Sequence, residues 1–162
     1  MFKIGKVVLY NNSICTIKDI KKSSINHKDY YVLVPVTDES LIINIPVENN
    51  SIKNIMTKEE AKELIKKIPL IKPLETDIND RNIEFQYRNL LLTHDKENLI
   101  KIIKTSYLRN EKRINNNKKI STKDDTYLKK TEELLYRELS YSLNMPFDDV
   151  FEYIKNYCLS MQ

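Results

Sequence analysis

Met1-Phe2-Lys3-Ile4-Gly5-Lys6-Val7-Val8-Leu9-Tyr10 opens the chain, and two runs of the same character follow, Tyr30-Tyr31-Val32-Leu33-Val34-Pro35-Val36 and Leu41-Ile42-Ile43-Asn44-Ile45-Pro46-Val47. Each is short, rich in β-branched and aromatic residues, and bounded by polar turn formers, which is how strands read. Working outward from them, strands are expected over 2–10, 14–20, 29–36, 41–47 and 52–56. Asn11-Asn12-Ser13 supplies residues that tolerate left-handed geometry and predicts a hairpin, whereas 21–28 is polar, aperiodic and reads as a longer loop. Gly5 is the only glycine, so bends and caps must lean on Asn, Asp and Ser, with Asn the residue that most easily takes left-handed φ.

From Thr57 onward the apolar residues recur at helical spacing, and the two regimes do not mix. Thr57-Lys58-Glu59-Glu60 has the form of a capping box, with Ala61, Leu64, Ile65 and Ile68 following on one helical face. That helix, 57–68, should stop before Pro69, and Pro69 and Pro73 bracket a connector. Further helices are expected over 77–92, 96–112, 122–143 and 146–159. The fold class is therefore α+β. Residues 1–70 should form a small, strongly bent sheet or partly open barrel of the SH3 or Tudor kind with an appended helix, and 71–162 an all-α helical bundle.

Composition narrows the function. No apolar stretch approaches the roughly 20 residues of a membrane span, and the amino terminus lacks the apolar core of a signal peptide, so a cytoplasmic location is expected. Cys15 and Cys158 have no ligand or redox spacing and read as small buried apolar residues; no metal or cofactor is expected. His27 and His94 sit in unrelated contexts without a catalytic motif, so the chain reads as a non-enzyme. Glu132, Glu133 and Glu138 are assigned to ion pairs with Lys129, Lys130 and Arg137 rather than to acid–base chemistry. The net charge of +4 is modest but unevenly placed. Lys101 to Lys123 holds eight basic residues against Glu111, a local +7, while from Asp124 onward acids outnumber bases. Such asymmetry suits a one-sided surface that meets phosphate.

The opening Phe-Lys-x-Gly, the later apolar-Pro-Val step and the order of elements resemble the CarD family of bacterial transcription regulators, whose first module also resembles a domain of the transcription-repair coupling factor. The stretches Leu99-Ile100-Lys101-Ile102-Ile103-Lys104-Thr105-Ser106-Tyr107-Leu108-Arg109 and Glu132-Glu133-Leu134-Leu135-Tyr136-Arg137-Glu138-Leu139 look like two helical segments of that family. The resemblance implies a Tudor-like domain that binds the β subunit of RNA polymerase and a helical domain that touches upstream promoter DNA.

Two sets of candidate residues follow. Polymerase docking by strand addition would use the expected edge strand through Ile42, Asn44, Ile45 and Pro46, flanked by Lys21 and Lys22. Asn44 stands where CarD-like proteins often carry arginine. The family's tryptophan wedge has no counterpart in a chain without tryptophan; counting back from Tyr87-Arg88, its position falls near Ile83. An apolar residue there could still press on a minor-groove base step. Arg81 and Arg88 would hold phosphates nearby. Lys101, Lys104, Arg109 and Lys112 fall within an arc of about 140° opposite Leu99, Ile103 and Tyr107, a basic face that would position DNA without reading its sequence. A monomer is expected. Two other classes compete: a protein–protein adaptor without DNA contact, and a small-molecule or peptide sensor using Tyr10, Tyr30 and Tyr31.

Overall fold

The computed structural model describes residues 1–77 and 79–160. Five strands, β1 (Val7–Tyr10), β2 (Ser13–Lys22), β3 (Asp29–Pro35), β4 (Ile43–Pro46) and β5 (Ile52–Asn54), form one antiparallel sheet in the order β4-β3-β2-β1-β5. The first hairpin closes through two residues, Asn11 and Asn12, at φ 47° and 66°, with Tyr10 opposite Ser13. Left-handed φ at both loop positions matches the twist of the flanking strands, so asparagine here does the work usually given to glycine. The first strand starts at Val7 rather than Phe2, because Gly5 at φ 89° turns the chain and its N–H donates to the Ile17 carbonyl at 2.7 Å. Phe2 folds back instead. Its N–H donates to the Tyr31 hydroxyl at 2.9 Å and its ring lies 6.1 Å from that of Tyr31. Val8, Cys15, Ile17, Tyr31, Leu33, Ile45 and Ile52 form the core of this unit.

The helices are α1 (Lys58–Lys67), α2 (Ile83–Leu92), α3 (Lys96–Asn115), α4 (Thr122–Leu143) and α5 (Phe147–Ser160), with a 3₁₀ turn at Ile68–Leu70. The capping box forms: the Glu60 N–H donates to Thr57 Oγ1 at 3.1 Å, and the Thr57 N–H to Glu60 Oε2 at 2.9 Å. Ala61, Leu64 and Ile65 of α1 then pack against Leu99, Ile100, Leu135, Leu139, Val150 and Ile154. The appended helix thus belongs to the helical unit and not to the sheet. The chain divides into Met1–Ile55 and Met56–Gln162, fifteen residues before the boundary that the prolines suggest.

The second helix begins at Ile83, not at Asp77. Asp77 accepts from the Asn79 N–H at 3.0 Å and Asp80 from the Asn82 N–H at 2.8 Å, local turns that compete with helix; Ile78, within the expected helix, lies outside the described residues. Asn117 (φ 57°) follows α3 and Asn144 (φ 51°) ends α4, again asparagine in left-handed positions. Among the described residues no helix is long and apolar enough to cross a membrane.

Candidate functional site

β4 pairs with β3 alone and so lies at an edge of the sheet. The Val47 N–H donates to the Asp29 carbonyl at 3.0 Å. Antiparallel alternation from that bond turns Ile45 and Ile43 inward and leaves the N–H and C=O of Asn44, with the C=O of Pro46, on the open side. The expected strand over 41–47 is shorter in fact, because a turn at Asp38–Ser40, with Ser40 N–H on Asp38 Oδ1 at 3.1 Å, holds Leu41 and Ile42 off the sheet. Serine donors hold the Asp38 carboxyl below the usual range. Ile42 is 61% exposed beside the open edge. Of the other expected docking residues, Asn44 is exposed, Ile45 is buried in the core, and Pro46 is half-buried. Lys21 and Lys22 are exposed but sit in β2, opposite Tyr30 and Asp29, with β3 between them and the edge. Two strand spacings put them about 10 Å from the Pro46 backbone. Tyr31, offered to a sensor site, is a core residue.

The helical unit redistributes the expected DNA contacts. Ile83 is 2% exposed and packs with Tyr87 and Ile102, so it cannot press on a base. The side chains exposed on or just before α2 include Arg81, Phe85 at 66% exposure, Arg88, Asn89 and Leu92. Arg88 is held by Glu84 at 3.0 Å.

On α3 the buried side chains are Leu99, Ile100, Ile102, Thr105, Ser106, Arg109 and Asn110, while Tyr107 stands outside at 55% exposure. The helix is therefore rotated from the orientation its apolar residues suggest, and two of the four expected phosphate ligands point inward. Arg109, 4% exposed, donates from Nε to the fully buried Asp124 at 3.1 Å and from its terminal nitrogens to Thr76 Oγ1 at 2.9 Å and the Asp77 carbonyl. Asp124 also accepts from the Tyr87 hydroxyl at 2.6 Å. Burial, with that carboxylate beside it, pushes the Tyr87 phenol far above its usual range. Lys104 donates to the carbonyls of Ile71, at 2.7 Å, and Ile68, and burial pulls its ammonium below the ordinary lysine range. Thr105 accepts from the Leu74 N–H at 2.9 Å. Lys104, Thr105 and Arg109 thus clamp the connector between α1 and α2.

What remains outside is Lys112, exposed, and Lys101, half-buried. Lys101 lines an open cleft of about 550 Å³ with Lys67, Lys72, Pro73, Leu74 and Glu97. Lys72 brings further positive charge beside Lys101, while Lys67 is paired with Glu97 at 3.6 Å; Lys72 carries no sequence signal because the proline-bracketed segment reads as a linker. Phe85 carries no such signal either, since an aromatic residue on an amphipathic helix reads as core.

The chain matches no protein-family model, and no curated protein is significantly similar to it.

The acids also differ from the expected pairing. Glu133 meets Arg137 at 2.8 Å, as read from the sequence, but buried Glu138 meets Lys96 at 2.6 Å and accepts from the Met56 N–H at 2.8 Å, and Lys129 pairs with Asp125 at 2.9 Å. Glu138 and Arg109, both within the stretches that carry the resemblance, are interior residues that hold the helical unit together.

Proposed function

We propose that this chain is a non-enzymatic, CarD-like transcription regulator whose sheet unit, a Tudor-like module, docks on the β subunit of RNA polymerase. The observation that carries the reading is the open β4 edge, with the N–H and C=O of Asn44 directed to its open side and exposed Ile42 beside it. Strand addition draws affinity from such groups and selectivity from neighbouring side chains. Asn44→Pro removes the outward N–H while leaving the ladder to β3 intact, and Ile42→Glu puts charge into the apolar patch. In a pulldown with purified polymerase, each substitution is expected to weaken capture by at least about tenfold. Unaltered capture by both variants would refute docking through this edge.

In this proposal the helical unit, a compact bundle, adds phosphate contacts to upstream promoter DNA through Arg81, Arg88, Lys101 and Lys112, with Phe85 as the exposed apolar side chain nearby. If all four cations neutralise phosphates, the logarithm of affinity for fork-junction DNA falls with that of salt at a slope of about −3 to −4. Binding energy shifts promoter opening only to the extent that it differs between the closed and open complexes.

A second reading, an adaptor that binds polymerase without touching DNA, is favoured by the burial of Ile83 and Arg109 and the internal engagement of Lys104. Polymerase capture combined with no measurable fork-junction binding at low salt would decide for it.

A further inference from the structure

A cleft lies between α4 and the first turns of α5. It is open, about 320 Å³ in volume, and lined by Lys129, Glu132, Glu133, Tyr136, Phe147, Asp148 and Phe151. Two of these lining charges are already satisfied: Lys129 is held by Asp125, and Glu133 by Arg137. Glu132 is different. It is half-buried, and among the described residues no donor is paired with it; burial alone pushes its carboxyl above the usual range. The walls beside it are aromatic, with the Tyr136 and Phe151 rings 6.4 Å apart and tilted by 53°. At one end the Arg137 guanidinium already lies over the Phe147 ring, 3.9 Å from its centre.

We propose that this cleft receives an arginine side chain from a protein partner, its guanidinium seated against Tyr136 and Phe151 and donating to the Glu132 carboxylate. A half-buried, unpaired carboxylate is costly to keep ionised, and a cation in the same cleft removes that cost. Aromatic faces add attraction for a cation, and a planar guanidinium stacks on rings while offering two parallel N–H groups to a carboxylate. Ammonium groups lack that fork, and a quaternary amine has no donor at all. The source is a protein and not nucleic acid because the lining charges without an ion pair among the described residues, Glu132 and Asp148, are negative and would repel phosphate. The inference stands apart from polymerase docking through β4 and from DNA contact.

The test is a titration of the full-length, ¹⁵N-labelled protein with acetyl-Gly-Gly-Arg-Gly-Gly-amide, with the same peptide carrying citrulline, and with tetramethylammonium chloride, all at constant ionic strength. The arginine peptide is expected to shift amide resonances of 132–136 and 147–151 with roughly millimolar affinity, and citrulline to leave them unmoved. Glu132→Gln should weaken binding at least about fivefold, and Phe151→Leu about threefold. Citrulline binding as well as arginine, shifts centred elsewhere, or wild-type affinity in Glu132→Gln would overturn the proposal. Tetramethylammonium binding as tightly as the arginine peptide would overturn the assignment of the occupant in favour of a quaternary ammonium group. Glu132→Gln is isosteric, so it decides the matter even if Phe151→Leu perturbs the fold.

Discussion

Arg109 is an arginine with almost no water around it, tolerated because Asp124 supplies the counter-charge and Thr76 and the connector carbonyls take the remaining protons. Removing one partner from such a pair leaves a buried charge unpaired. Asp124→Asn is therefore expected to cost about 3–5 kcal/mol in urea denaturation, and Tyr87→Phe about 1–2 kcal/mol, since it leaves one acceptor site of Asp124 empty. Glu132 gives the opposite sign. Its folded-state carboxyl holds a proton more tightly than the unfolded one, so in the window just above the ordinary glutamate range the native state binds more protons and stability falls as pH rises. Glu132→Gln should raise the melting temperature by about 1–2 °C at pH 7, with the gain vanishing toward pH 4. No sequence pattern announces these roles. Both residues sit among other charges on long helices, and only a partner from another element distinguishes an interior arginine from a solvated one.

At the scale of elements, the capped start of α1 and the first hairpin turn were legible because they depend on neighbours in sequence: Thr57 with Glu60, and Asn11 with Asn12. The orientation of α3 was not. Its inward side carries Thr105, Ser106, Arg109 and Asn110, so apolar spacing selected Tyr107 as a core residue when it faces out. Asn144 offers a direct check on how the chain manages with a single glycine. At φ 51° a side chain carries a steric cost that glycine avoids. Asn144→Gly should stabilise the helical unit by about 0.5 kcal/mol, and Asn144→Val should destabilise it by about 1–2 kcal/mol, both read from chemical denaturation.

For the molecule as a whole, the fold class and the numbers of strands and helices follow from periodicity, whereas the strand order and the division between units do not. Prolines mark where helix must stop, but Ala61, Leu64 and Ile65 decide which core α1 joins. A fragment of residues 56–162 is expected to unfold cooperatively. One of 71–162 exposes Leu135, Leu139 and Val150 where α1 should lie and should lose at least about 3 kcal/mol, measured by circular dichroism during thermal melting.

The connector that α3 clamps has one more consequence. A segment without helix or strand ordinarily trades its amide protons with water within seconds, yet the N–H of half-buried Leu74 is locked onto the buried Thr105 hydroxyl. Its proton should exchange with deuterium only when the helical unit opens. By that clock, a stretch punctuated like a tether keeps time with the interior.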